Sequence, residues 1–288
     1  MADSTLPILP ARRPESHKGD YGHALLIGGS RGMSGAIAMA GMGAVRSGAG
    51  LVRLGVPDCC LDTVAGYSPC SMLISLPADS QGKILSRTDD LDAWLSRSDC
   101  VAIGPGLGRS ESIDHFVGDV LQWMTKHAPD VPVVIDADAL VALSHSKSLH
   151  FGKHAPWILT PHPGEWARLS SVSACQAEQQ AAAAIDISRQ TSSIIVLKGH
   201  QTLITDGRYS FRNQTGTPAM ATGGSGDVLT GVIVALVCQG LSPLDATRLA
   251  VHVHGRAGQI AAESLGTHVV LPTELISYLP AAFREVIG

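Results

Sequence analysis

"TPAMATGGSGDVLTGVIVALVCQG", from Thr217 to Gly240, runs a glycine-rich turn into an apolar helical stretch and sets one carboxylate, Asp227, at the join. Gly223, Gly224 and Gly226 carry no Cβ, so the backbone there can approach an anion closely. The unpaired N–H groups of a helix start add donors and positive potential. Gly224, Ser225 and Gly226 are therefore read as an anion hole. The helix dipole favours the charged form of Asp227, whereas a bound phosphate opposes it. A carboxylate balanced in this way suits the acceptor of a proton from a hydroxyl attacking phosphorus. The structural alternative is a capping Asp preceded by a plain loop, although a cap needs no such run of glycines.

Outward from this turn, short β-branched runs alternate with Ala-rich helical stretches, the pattern of a parallel sheet covered on both faces. Strands are expected over His23 to Ile27, Leu51 to Val56, Cys100 to Ile103, Val131 to Ile135, Trp157 to Leu159 and Ile194 to Leu197, with a hairpin from Thr202 to Phe211. Their tips at Gly28, Gly104, Asp136, Thr160 and Lys198 are expected to face one crevice, since ligands collect beyond the carboxyl ends of such strands. Ser34 is read as the cap of a helix rich in Gly and Ala, against which the sheet, a second subunit or a flat ligand packs closely. Ser173 and Gln176 have capping-box spacing. Ser80 to Ser98, the most polar segment, reads as a surface excursion. With no repeat, low-complexity tract or linker, residues 1–288 are expected to form one domain.

Composition narrows the function. The chain has 288 residues, 45% hydrophobic and 16% charged, with a net charge of −4. There is no basic footprint for nucleic acid or an anionic membrane, and the apolar run Val232 to Cys238 is too short to span a bilayer. Cys59, Cys60, Cys70, Cys100, Cys175 and Cys238 form no CxxC, which points to free thiols in a reducing compartment. The first 22 residues match neither a signal nor a transit peptide. A cytoplasmic location is expected.

Other motifs supply candidates. "VAIGPGLGR" (Val101 to Arg109) follows a strand but lacks the GxGxxG spacing, and no Walker loop occurs. "VPVVIDADAL" puts Asp136 and Asp138 at a strand end, where Asp138 either caps the next helix or serves a site. In "ILTPHPGEWARL", Pro161 and Pro163 hold His162 on extended backbone. Glu165 is a candidate for holding Mg²⁺ through water. Lys198 ends a strand beside Gly199 and reads either as a solvated charge or as part of the crevice.

Taken in order, "SHKGDYGHALLIGGS", "MSGA", "RSGAGLV", "GPGLG", "VIDADAL", "LTPHPGE", "VLKGHQTLI" and "MATGGSGDVLTG" closely resemble the ADP- or ATP-dependent NAD(P)H-hydrate dehydratases of the ribokinase-like superfamily. The resemblance implies a three-layer α/β/α sandwich with a mostly parallel central sheet, and repair of the S epimer of hydrated NADH or NADPH. ADP, or ATP, is the co-substrate, and ADP would yield AMP and phosphate. It further implies Mg²⁺, a homotetramer and contacts to the hydrated dinucleotide from Ala36, Gly106, His162 and Asp227. Contacts to the adenine nucleotide fall to Lys198, Gly199, His200, Gln201, Thr202 and Gly226. The motifs begin by Ser16, so the N-terminal epimerase domain of many relatives is expected to be missing and supplied by a separate partner. The chain departs from the family pattern at Thr217, at Ala219, and at His200, where relatives often have Asn.

The chemistry implied is phosphorylation of the ring hydroxyl, which turns a poor leaving group into phosphate. Asp227 is the expected base, with the amides of Gly224 to Gly226 bearing charge on the transferring group. An ATP-dependent kinase of a small alcohol on the same fold is the first alternative. A nucleotide-sensing module without catalysis is the second. An NAD-dependent oxidoreductase is disfavoured by the missing Rossmann fingerprint.

Overall fold

A computed structural model describes residues 5–85, 88–145, 157–266 and 268–287. A nine-stranded sheet has the order β3-β2-β1-β4-β5-β6-β7-β8-β9. The strands are β1 (His23–Ile27), β2 (Leu51–Pro57), β3 (Met72–Leu76), β4 (Cys100–Ile103), β5 (Val133–Ile135), β6 (Trp157–Leu159), β7 (Ile194–Leu197), β8 (Leu203–Thr205) and β9 (Ser210–Arg212). Pairing is parallel from β3 through β7, and β8 and β9 add antiparallel at one edge. The expected α/β fold with a mostly parallel sheet is what forms. β3 is the strand that sequence reading missed. Its run, MLISL, is half exposed along the sheet edge and lacks the continuous apolar character of the central strands.

The helices are α1 (Ser34–Arg46), α2 (Leu61–Tyr67), α3 (Asp92–Leu95), α4 (Glu111–His127), α5 (Ala137–His145), α6 (Pro163–Ser170), α7 (Ala177–Thr191), α8 (Ser225–Cys238), α9 (Pro243–Leu265) and α10 (Pro272–Arg284). Alternate side chains of each strand point to opposite faces. Thus Ala24 and Leu26 of β1 join the core under α1, α8, α9 and α10, while Leu25 and Ile27 join the core under α4 and α5. A smaller core of Trp166, Ala181, Ala184, Ile195 and Leu203 lies under α6 and α7. The sheet and the helices on its two faces make the three layers. Among the described residues, no helix is long and apolar enough to cross a membrane.

Ala40, Gly41 and Gly43 of α1 are packed inside the chain. A Cβ on Gly43 would come 2.8 Å from the Val228 carbonyl oxygen of α8, and one on Gly41 would come 2.7 Å from Leu54 of the sheet. From the other side, a Cβ on Gly231 would lie 2.0 Å from the Ala40 carbonyl oxygen. Of the alternatives expected to pack against this helix, the sheet is met at Gly41, and α8 of the same chain packs against Ala40 and Gly43.

Several local expectations are corrected. Ser34 is the first residue of α1, whose cap position belongs to Met33, and no side chain caps it. The Ser173 and Gln176 capping box does not form; the helix begins at Ala177, and the Ser173 carbonyl closes a turn with the Gln176 amide. The polar segment from Ser80 to Ser98, of which residues 86 and 87 lie outside the described ones, buries Ile84, Leu91 and Leu95. It is anchored to the core, because each polar stretch ends on an aliphatic side chain that the sheet face can cover.

Candidate active site

Strand order reverses between β1 and β4, and the tips on either side of this switch point are in backbone contact. A Cβ on Gly28 would come 2.3 Å from the Pro105 carbonyl oxygen, and one on Gly104, at φ +135°, would come 1.8 Å from that of Asp136. No larger residue fits at either tip. Beyond β5 and β7 opens a cleft of about 520 Å³, lined by Asp136, His162, Lys198, Gly224, Gly226 and Asp227, among others. The turn before α8 forms one wall. Gly224 takes the N-cap position at φ 101°, left-handed backbone that disfavours side chains, and Asp227 stands in the first helical turn.

Asp136 and Lys198 tie the cleft floor together. The Lys198 ammonium donates to Asp136 Oδ1 at 2.8 Å, and the Thr230 hydroxyl donates to Oδ2 at 2.7 Å. The Asp136 side chain is 2% exposed and that of Lys198 20%. Burial pushes Asp136 up, but the attraction of Lys198 and the hydrogen bonds outweigh it and hold the carboxyl below its usual range. Burial likewise pulls Lys198 down, and Asp136 more than reverses it. Both groups stay charged.

Asp227 sits beside this pair under different influences. Burial, then the charge of Asp136, raises its pKa to about 7, with Lys198 opposing. A carboxylate poised there is balanced between holding and releasing a proton at neutral pH, which is what a general base requires. The net shift is upward, opposite to the direction that the helix dipole alone would give. Lys198 approaches the same turn: a Cβ on Gly226 would lie 3.2 Å from its Nζ.

His162 is the N-cap of α6, its Nδ1 accepting from the Gly164 and Glu165 amides at 3.0 and 3.3 Å. Glu165 returns the bond, with Oε2 accepting from the His162 amide at 2.8 Å. A ring nitrogen that accepts carries no proton, so the proton rests on Nε2. Burial and the nearby Lys198 lower the His162 pKa, favouring this neutral form. Glu165 is raised by burial, against Lys198 and the His162 amide. The reciprocal cap escapes the usual sequence rule because His, not Ser or Thr, occupies the cap.

The structure groups the remaining candidates in two places. Ala36 meets Gly106 at the switch point, where a Cβ on Gly106 would come 3.1 Å from that of Ala36. Neither lines the cleft at Asp227. Lys198 and Gly199 line that cleft, and His200, Gln201 and Thr202 continue the turn after β7. The Thr202 hydroxyl donates to the Gly199 carbonyl at 3.0 Å. Asp138 accepts from the Gly108 amide at 2.9 Å and Arg109 Nε at 3.0 Å, so it stitches the "GPGLGR" loop to α5. Thr217 caps a short turn over Pro218–Met220, a job for which Asn and Thr are both suited. His254 gave no signal in sequence. Its Nε2 donates to the Ser225 carbonyl at 2.9 Å, and burial drives its pKa down to about 4, so a neutral imidazole braces the start of α8.

The family model described as NAD(P)H-hydrate dehydratase matches residues 24–281. The chain belongs to the NAD(P)H-hydrate dehydratase family. The bifunctional NAD(P)H-hydrate repair enzyme Nnr of Moorella thermoacetica is 41% identical over 284 residues, 96% of this chain and 52% of the relative. The ADP-dependent (S)-NAD(P)H-hydrate dehydratase of Bacillus subtilis is 35% identical over 288 residues, 96% of this chain and 94% of the relative. A crystal structure of the ADP/ATP-dependent NAD(P)H-hydrate dehydratase from Bacillus subtilis, co-crystallised with ATP and Mg²⁺, matches at TM-score 0.81 and 33% identity, covering 97% of this chain and 95% of that one. The sandwich is thus the ribokinase-like fold that the NAD(P)H-hydrate dehydratase motifs implied. The chain spans about half the length of several curated family members that it matches.

Proposed function

We propose that the chain dehydrates the S epimer of hydrated NADH or NADPH, consuming ADP and releasing AMP and phosphate. The observation that carries this reading is Asp227, poised near neutral pH on a glycine-rich helix start inside a cleft that also holds Lys198. The ring hydroxyl gives its proton to Asp227 as its oxygen bonds to the terminal phosphorus of ADP and the bond to AMP breaks. The ring nitrogen lone pair then expels phosphate, and loss of a proton from the adjacent ring carbon restores the dihydronicotinamide. The amides of Gly224, Ser225 and Gly226 meet the charge on the transferring group. Lys198, Gly199, His200, Gln201, Thr202 and Gly226 hold the adenine nucleotide; Ala36, Gly106 and His162 orient the dinucleotide.

Among the described residues, no group of three or more His, Cys, Asp or Glu is disposed to hold a metal by itself. Carboxylates near Lys198 are nevertheless hard oxygen donors, and Mg²⁺ typically takes few of these and keeps water and phosphate ligands. Glu165 would hold it through water. When bound, Mg²⁺ supplies charge neutralisation on the nucleotide phosphates. Residues 1–288 are taken as one dehydratase domain acting in the cytoplasm. An epimerase would feed it, since relatives of about twice the length are named bifunctional. A homotetramer is taken from the family resemblance; Gly41 and Gly43 of α1 are already covered within the chain.

The test is recovery of reduced-nicotinamide absorbance from purified NADPH hydrate with Mg²⁺ and either ADP or ATP. Recovery that needs nucleotide establishes the dehydratase and names its donor. Nucleotide binding without recovery would overturn it and leave a small-alcohol kinase or a sensor.

A further inference from the structure

Three cations gather at the switch point, away from Asp227. Arg31 follows the β1 tip, Lys83 lies on the turn after β3, and Arg109 ends the loop after β4. Two left-handed glycines make room for them. At Gly82, φ +75°, a Cβ would come 2.6 Å from Arg31 Cβ and 3.1 Å from its Nε. At Gly108, φ +78°, one would meet Lys83 Cε at 3.4 Å and Ser30 Oγ at 3.5 Å. The Arg31 amide donates to the Gly82 carbonyl at 3.0 Å, and Lys83 Nζ to the Arg109 carbonyl at 3.0 Å, so the three segments form one rim.

Among the described residues, one of the three rim cations is held in an ion pair and two are not. Arg109 pairs with Asp138 at 3.0 Å. The carboxylates of Asp58 and Asp79 lie near Arg31 and Lys83 but bond to backbone amides, Asp58 to that of Cys59 and Asp79 to those of Gln81 and Lys83. Among the described residues, neither Arg31 nor Lys83 makes an ion pair. Two cations without a paired carboxylate at the carboxyl ends of parallel strands suit an anion placed beside them.

Helix α1 connects this rim to the reacting cleft. Met39 reaches the anion-hole loop, where a Cβ on Gly224 would lie 2.5 Å from its Cε, and Ala36 reaches Gly106. These contacts are three residues apart, roughly 4.5 Å along the helix. A dinucleotide with its ring at Asp227 and its middle at Ala36 and Gly106 therefore carries its own phosphates on toward Gly108. We propose that Arg31, Lys83 and Arg109 seat the phosphate groups of the hydrated dinucleotide, separately from the transferring phosphate at Gly224 to Gly226. This rests on the dehydratase reading.

The experiment is equilibrium dialysis of NADPH hydrate and NADH hydrate against wild-type protein and the Arg31→Ala, Lys83→Ala and double variants, without nucleotide so that no turnover occurs. ADP binding is measured alongside. Each lost cation is expected to weaken hydrate binding about tenfold, with ADP binding unchanged. Loss confined to NADPH hydrate supports the seat and places the 2′-phosphate there; equal loss for both supports it and places the pyrophosphate there. Affinities within twofold of wild type for both hydrates overturn the seat and leave the dehydratase standing. Wild-type protein that binds the hydrates but never regenerates reduced nicotinamide with ADP or ATP overturns the dehydratase and leaves the seat to the variants. Wild-type protein that binds neither hydrate overturns both.

Discussion

Lys198 Nζ lies 2.8 Å from Asp136 Oδ1, joining strand tips that are 62 positions apart in sequence. The two charges pull Asp227 in opposite directions: Asp136 raises its pKa and Lys198 lowers it. The ion pair therefore tunes the carboxylate it does not touch.

Asp227 must be ionised to accept a proton, and its pKa lies at about 7. Log kcat/KM should rise with slope one below about 7 and level off above it. A profile flat from pH 5 to about 8 would remove Asp227 from the role of base.

Asp227→Asn should lower kcat by about two to four orders of magnitude while ADP still binds. The same variant should gain stability at high pH. The folded pKa is raised, so stability present below the unfolded value of 3.8 is lost as pH rises through about 7. The variant's advantage in Tm should be clear at pH 8 and shrink toward pH 4, as thermal melts across that range would show.

Asp136→Asn leaves Lys198 in the cleft floor without its carboxylate. Loss of one partner of a buried pair costs about 3 kcal/mol, here reduced by the partial exposure of Lys198, and urea titration measures it. Asp136 raises the Asp227 pKa and Lys198 lowers it, so removing the former moves the acid limb of kcat/KM to lower pH. A limb that stays in place would break the coupling inferred between these sites.

Gly231→Ala should destabilise the chain by about 1–3 kcal/mol, because the added Cβ would meet the Ala40 carbonyl oxygen at 2.0 Å, backbone that cannot swing aside. Gly35→Ala meets nothing within 4 Å and serves as the control. Equal melting temperatures for the two would contradict the close packing of α1 on α8.

His254→Phe removes the donor to Ser225, while His254→Gln keeps an amide donor of similar reach. The first should cost about 1 kcal/mol or more and lower kcat, and the second should recover most of both. Equal loss in the two variants would show that the imidazole matters for packing and not for its bond to the helix start.

The sequence by itself determined the central strands, their mostly parallel arrangement and the placement of Asp227 on the first turn of α8. These follow from short-range causes: continuous β-branched runs, glycines that permit left-handed backbone, and a helix that starts where they end. Ala36, Gly106, His200, Gln201 and Thr202 were legible only as members of an ordered set of motifs, whereas Lys198 could be read as a strand tip. The sheet edge β3 was not legible, because MLISL is half exposed and reads as neither buried strand nor amphipathic helix. Tertiary structure alone decided that Asp136, Lys198 and Thr230 form one network, that His254 braces Ser225, and that Asp227 titrates near neutrality. Desolvation and charge pairing depend on what the fold brings within a few ångströms, and residues far apart in the chain carry no local mark of that proximity.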